Sequence, residues 1–269
     1  MLKTQLEEAS RLFYVLSLYE AYHFFRRFFD RIPFCFEEEH ADYSAMFCRV
    51  LLELGKAREL EFYINELEPR YAKGKNPLIG HSLSMFYLHQ RGGMKMQKTY
   101  SLLTELRSVF PSSSDLGVKN CLSLVCCDYA KREVSRCVDV MDSIPKVLDP
   151  KLNVGIVIWK AKILCAKNNF EGSGFLLEEL FSNSLVQEDW YLFLSVSVTL
   201  LAVYVRTQKI MVAKQVFVEL EKYFEHKMFK VIQRQLGRMR QEITQAESGV
   251  ICSVKTNFFE RGSLYQDCL

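Results

Sequence analysis

The feature that most constrains the fold is a pattern of helix breaks that recurs along the chain. Helices that form the second member of each predicted pair begin near residues 19, 56, 94, 131, 170 and 210, in steps of 37, 38, 37, 39 and 40 residues. Prolines close four of them, at positions 33, 69, 111 and 145. Because strand-type alternation is nearly absent, and because a period of this length is typical of stacked helix–turn–helix units, the sequence predicts an all-α fold.

Small, aromatic and proline residues recur at similar places in these units. They are Ala21, Phe25 and Pro33; Ala57, Phe62, Tyr63 and Pro69; and Ala213 with Phe217. In this respect residues 10–225 resemble the tetratricopeptide-repeat family, although the regular first-helix motif of that family is missing. The resemblance implies a TPR-like, right-handed α-solenoid of about six helix–turn–helix repeats. The repeat domain would span residues 1–247, and the tail, residues 248–269, would dock on the last repeat or on a partner.

The predicted C-terminal helix, about Phe229–Glu247, carries an apolar stripe formed by Leu236, Met239 and Ile243. A helix with one apolar stripe and a polar outer face is what the end of a repeat array requires. We therefore predict that this helix caps the repeat domain.

The most apolar segment, Trp190–Val205, has 16 residues without a charge. It is shorter than the roughly 18–20 residues that a membrane-spanning helix needs, and Ser195, Ser197 and Thr199 dilute it. A helix that is apolar nearly all round is expected where neighbours cover it on several sides. The sequence therefore predicts a central buried helix and no membrane span.

Cysteine usage indicates a reducing, intracellular compartment, either cytoplasm or nucleus. The chain has nine cysteines, no secretory signal and no glycosylation sequon, and most of the cysteines lie in apolar helical runs. No Cys-x-x-Cys pair occurs and the five histidines are scattered, so a zinc site is not predicted. Since no nucleophile or acid–base group converges with a partner, we predict no enzyme activity, no catalytic residues and no cofactor.

Aromatic residues are concentrated at the N-terminal end, where ten lie between Leu12 and Phe36. Phe24, Phe25, Phe28 and Phe29 would form an apolar arc wider than one packing face needs. One interpretation is that the first helix and the following repeat cover this arc. The other is that the four phenylalanines bind a partner.

Charge is also unevenly placed, although the net charge is only +3. Residues 206–240 contain nine basic and three acidic residues, a net of +6, which leaves −3 for the rest of the chain. Solvated helix faces are one explanation. The other is a contact with an acidic partner through Lys230, Arg234, Arg238 and Arg240. Because no exposed aromatics are interleaved with these charges, an acidic protein surface is favoured over RNA or DNA.

These features predict a non-catalytic scaffold or adaptor that binds protein partners and acts as a subunit of a larger complex. An RNA- or DNA-binding protein of the pentatricopeptide type is the main alternative, because Ala213–Leu220 is similar to the second helix of those repeats. A peptide-sensing tetratricopeptide regulator is a third possibility. It is disfavoured because no DNA-binding helix–turn–helix precedes the repeats.

Overall fold

The structure is a computed structural model that describes residues 2–15, 17–31, 38–90, 93–183, 186, 188–224 and 230–248. This part of the chain contains thirteen helices and no strand, which confirms the predicted all-α class. In chain order the helices are α1 (Leu2–Tyr14), α2 (Leu18–Arg31), α3 (Glu38–Glu53), α4 (Ala57–Gly74), α5 (Pro77–His89), α6 (Gly93–Arg107), α7 (Asp115–Ala130), α8 (Val134–Asp142), α9 (Pro150–Ala166), α10 (Phe170–Phe181), α11 (Trp190–Arg206), α12 (Ile210–Phe224) and α13 (Lys230–Glu247).

The even-numbered helices α2 to α12, called second helices below, begin close to the predicted positions. Their first residues are Leu18, Ala57, Gly93, Val134, Phe170 and Ile210. The predicted cap also exists as a helix, α13, and its Leu236, Met239 and Ile243 are buried. The number of repeats and their assembly into a solenoid remain predictions.

Four of the turns that join a first helix to a second helix share one backbone geometry. Gly55, Arg132, Asn168 and Gln208 all have positive φ, between 57° and 71°. The amide of the residue after each of them donates a hydrogen bond to the carbonyl five residues earlier, at 2.7–2.9 Å. This is the Schellman arrangement, which reverses the chain at a helix end. The breaks seen in the sequence are therefore left-handed helix caps.

This geometry predicts opposite effects for one substitution at two sites. Gln208→Gly should raise the free energy of unfolding by about 0.5–1 kcal/mol, because glycine accepts a positive φ without a steric penalty. The matched control is Gln241→Gly in the interior of α13, which should lower it by about 1 kcal/mol because glycine is a poor helix former. Urea denaturation measures both. Two changes of the same sign would contradict the assignment of the cap.

The proline prediction is correct at two positions and wrong at one. Pro111 and Pro145 follow the ends of α6 and α8, whereas Pro33 lies outside the described residues. Pro69 does not end its helix, because α4 continues through it to Gly74. The proline removes one backbone hydrogen bond, but Leu67 and Tyr71 on either side of it are buried, so packing holds the helix together.

The chain divides into two compact units, residues 1–127 and 128–269, and the predicted repeat domain includes residues of both. The first unit has an aromatic core made by rings from α2 to α5. Phe29 stacks on Phe47 with ring centroids 4.8 Å apart, and Tyr63 lies 5.1 Å from Phe47 and 5.8 Å from Phe86. This cluster joins two first helices to two second helices.

Buried polar side chains also connect the first helices of this unit. The Ser44 hydroxyl on α3 donates to Ser82 on α5 at 2.8 Å, and His81 Nδ1 lies 2.9 Å from the Asn120 side-chain oxygen on α7. The partners are 38 and 39 residues apart in sequence. Such hydrogen bonds fix the register of neighbouring helices, because breaking one leaves a buried polar group unsatisfied.

The second unit is built around α11, which is buried from Trp190 to Tyr204, as predicted. Asp189 caps the helix by accepting hydrogen bonds from the amides of Tyr191 and Leu192. Lys151 on α9 reaches the same carboxylate at 3.3 Å, across 38 residues of sequence. Among the helices that the structure describes, none combines the length and the apolar character needed to cross a membrane.

Candidate protein interface

The four phenylalanines predicted to bind a partner lie on α2, and three of them are buried within the first unit. Phe25 and Phe28 have no exposed surface and Phe29 is 8% exposed, while Phe24 is half-buried. For these three, the interpretation that neighbouring helices cover the arc is confirmed, and the alternative of an exposed arc is wrong. The physical reason is that α2 packs against both α1 and α3 and also meets α4, so more than one of its faces is covered.

A hydrogen-bonded surface joins α2 to α4 beside this core. Tyr22 is its centre: its hydroxyl donates to Glu59 at 2.7 Å and accepts a hydrogen bond from Arg26 at 2.8 Å. Lys56 pairs with Glu59 at 2.9 Å, and its ammonium lies 4.2 Å from the centroid of the Tyr22 ring. A cation over an aromatic face is an attractive arrangement.

A second link lies farther along the same two helices. The Tyr63 hydroxyl on α4 donates to Asp30 on α2 at 2.8 Å, and Asp30 pairs with Arg26 at 3.3 Å. Burial opposes ionisation of Glu59, but the hydrogen bonds from Lys56 and Tyr22 outweigh it and lower the pKa of Glu59. Glu59 is therefore charged at neutral pH and paired with Lys56.

Two large apolar side chains are exposed on these same helices. Tyr19 on α2 is 65% exposed and Phe62 on α4 is 55% exposed. Tyr19 shares a helix face with Arg26 and Asp30, which lie seven and eleven residues after it. We use the name α2–α4 surface for the two exposed aromatics and the hydrogen-bonded residues of these helices: Tyr19, Phe62, Tyr22, Arg26, Asp30, Lys56, Glu59 and Tyr63. Exposed aromatic side chains and arginine are the residue types enriched in protein-binding hot spots, and this surface carries both.

Sequence reasoning assigned the partner-binding role to other residues of this region, although a signal for Tyr19 was present. Its spacing from Arg26 and Asp30 places it on a charged stripe instead of the apolar one. Phe62 is the neighbour of the buried Tyr63, and an adjacent residue on a helix points about 100° away. The angular position of each residue around its helix therefore distinguishes the exposed Tyr19 and Phe62 from their buried aromatic neighbours.

Exposed large apolar side chains within the described helices share one property. The six whose helical side chains the structure describes lie on second helices: Tyr19, Phe62, Phe175, Met211, Val212 and Val218. By contrast, α5 and α11, both first helices, are buried over almost their whole length. The other exposed large apolar side chains that the structure describes, Val15, Val109 and Leu148, lie between helices.

Of the four basic residues predicted to bind an acidic partner, the structure describes the side chains of two, Arg238 and Arg240. Arg240 on α13 forms an ion pair with Glu221 on α12, and its guanidinium lies 5.8 Å from the Phe217 ring centroid. Arg238 is exposed, one helical turn before Glu242. The side chains of Lys230 and Arg234 lie outside what the structure describes. Together with the Lys214–Glu247 ion pair, these contacts offset part of the positive charge of residues 206–240 within the chain.

Glu242 on α13 holds a carboxyl oxygen that is buried without a hydrogen-bond partner. Burial raises the pKa of Glu242 from 4.5 to about 7, although the charges of Arg206 and Arg238 act in the opposite direction. Since the folded protein holds this proton more tightly than the unfolded chain, Glu242 destabilises the fold increasingly as the pH rises from about 4.5 to 7.

Glu242→Gln should therefore stabilise the protein at pH 8 by about 1–2 kcal/mol, discounted for partial exposure, and by little at pH 4.5. Glutamine stays neutral at both values. Urea denaturation at the two pH values measures the difference, with Glu219→Gln on the exposed part of α12 as the control. A gain that is equal at both pH values would contradict the titration of Glu242 as its source.

The cysteines that the structure describes are six buried free thiols, with no disulfide among them. Burial, and the nearby charge of Asp128, raise the pKa of Cys137 to about 12, and burial also raises the pKa values of Cys48, Cys121 and Cys165. Such thiols stay protonated at neutral pH and are poor nucleophiles. No three or more His, Cys, Asp or Glu side chains within the described ranges are placed to hold a metal ion.

No protein-family model matches this chain, and no curated protein is significantly similar to it.

Proposed function

We propose that this protein is a non-catalytic interaction scaffold that binds another protein through the α2–α4 surface. The observation that carries the proposal is the exposure of two aromatic side chains, Tyr19 and Phe62, beside the hydrogen bonds that join α2 to α4. Tyr19 and Phe62 are the exposed aromatic members of the α2–α4 surface, and aromatic side chains contribute disproportionately to binding.

Contacts between helices support a tetratricopeptide-like stacking of helical pairs within each unit. Residues 37 to 39 positions apart meet in Tyr22–Glu59, Ser44–Ser82, His81–Asn120 and Lys151–Asp189. Equivalent positions of adjacent repeats contact each other in such arrays. Repeats of this kind present an extended, rigid surface and need no chemistry to act, which suits the subunit of a larger assembly.

Binding of RNA or DNA is the competing proposal, and salt separates the two. The chain, tagged and isolated from its source cells, should retain a protein partner in stoichiometric amount after nuclease treatment and at about 0.2 M salt. Phosphate binding would weaken by orders of magnitude between about 50 and 200 mM salt. Recovery of nucleic acid, with loss of every protein after nuclease, would contradict the scaffold proposal.

A further inference from the structure

The last two described helices run antiparallel in a register that two ion pairs define. Lys214 on α12 pairs with Glu247 on α13, and Glu221 pairs with Arg240. Seven residues forward along α12 therefore correspond to seven residues backward along α13. The chain leaves α13 beside the first turn of α12, where Met211 lies three residues before Lys214.

An apolar stripe is exposed at that exit. Met211 is 70% exposed and Val218, seven residues later on the same helix face, is 47% exposed. The stripe lies next to the face of α12 that holds Lys214 and Glu221, so it borders α13. Lys222, one helical turn after Val218, is exposed and places a positive charge at the far end of the apolar stripe.

The sequence of residues 249–269, which follow α13, has apolar and charged residues in the same order as the stripe. Gly249 is the residue type that most often reverses a chain after a helix. An apolar run follows, with Val250, Ile251, Val254, Phe258 and Phe259, and then the acidic Glu260. From Met211 to Lys222 the stripe is about 16 Å long, which ten residues of chain span easily.

We infer that residues 250–259 pack on the Met211–Val218 stripe, with Glu260 beside Lys222. The tail thereby forms the final layer of the second unit, and this stripe is closed to other proteins. The inference does not depend on the α2–α4 surface, which belongs to the first unit. Partner binding at the α2–α4 surface and docking of the tail on α12 can therefore be tested and rejected independently.

Oxidation of Met211 by hydrogen peroxide, followed by peptide mass spectrometry of the full chain, tests the inference. A thioether covered by apolar side chains reacts slowly, whereas an exposed one reacts almost as fast as free methionine. The double variant Val254→Asp and Phe258→Asp should oxidise at Met211 at least about fivefold faster than the wild type. Asn257→Asp, which adds a charge at a polar position, should leave the rate unchanged.

Met239 on α13, which belongs to the second unit and is 1% exposed, reports on folding of that unit in every sample. A Met211 rate in the wild type equal to that of free methionine overturns the inference without any variant. Equal protection of Met211 in the wild type and the double variant also overturns it. If that protection rises with protein concentration, a second copy of the chain covers the stripe instead.

Discussion

Replacing both Tyr19 and Phe62 with aspartate is expected to weaken binding of the protein partner about 100-fold, close to 2.7 kcal/mol. Each substitution removes an exposed aromatic ring from the α2–α4 surface and puts a charge in its place. Exposed aromatic side chains contribute most of the free energy at such contacts, and an unpaired charge buried by a partner is costly. A titration of the purified partner by calorimetry measures the change.

The matched control for this double variant is Ser101→Asp, which adds a negative charge to an exposed position of another second helix, α6. Its affinity should stay within about twofold of the wild type, since surface substitutions away from a contact have small effects. The thermal midpoint of the Tyr19 and Phe62 variant should be unchanged, because both side chains are exposed in the isolated chain. An unchanged affinity for this variant would contradict the proposed contact.

The substitution Glu53→Ala is expected to lower the free energy of unfolding by about 3–5 kcal/mol. Glu53 and Arg49 form an ion pair on α3, with an oxygen and a nitrogen 2.6 Å apart and side chains that are 0% and 4% exposed. Without Glu53, the guanidinium of Arg49 stays buried and loses the carboxylate 2.6 Å from it. Urea denaturation followed by circular dichroism measures the change.

The control is the double replacement Arg49→Met and Glu53→Leu, which removes both charges and keeps a similar volume. It should be neutral or stabilising, because apolar packing often matches or exceeds a buried ion pair. A double variant as unstable as Glu53→Ala would show that positions 49 and 53 of α3 do not accept a pair of apolar side chains. A Glu53→Ala variant as stable as the wild type would contradict the burial of the pair.

Helix positions were predictable because the residues that reverse the chain are local signals. Gly55, Asn168 and Gln208 each follow an apolar helical run, and the left-handed cap forms at that residue. Proline is a weaker signal in the interior of a packed unit. Pro69 costs α4 one hydrogen bond, but the burial of Leu67 and Tyr71 is worth more.

The candidate interface was less predictable, because exposure depends on how many neighbours a helix has. The four phenylalanines of α2 were correctly recognised as more apolar surface than one neighbour covers. Their sequence gave no measure of how much of α2 other helices cover, and tertiary packing buries Phe25, Phe28 and Phe29. Tyr22–Glu59 and Tyr63–Asp30 likewise join residues 37 and 33 positions apart, a pairing that no local pattern specifies.

Photocrosslinking from position 62 tests the central proposal most directly. A photoreactive phenylalanine analogue in place of Phe62 keeps the aromatic ring, and the same analogue at Ser101 is the control. The proposal predicts a covalent adduct between the partner and the chain labelled at position 62, and little adduct from position 101. A partner that co-purifies with both labelled chains but crosslinks from neither position, or only from position 101, would contradict the α2–α4 surface as the contact.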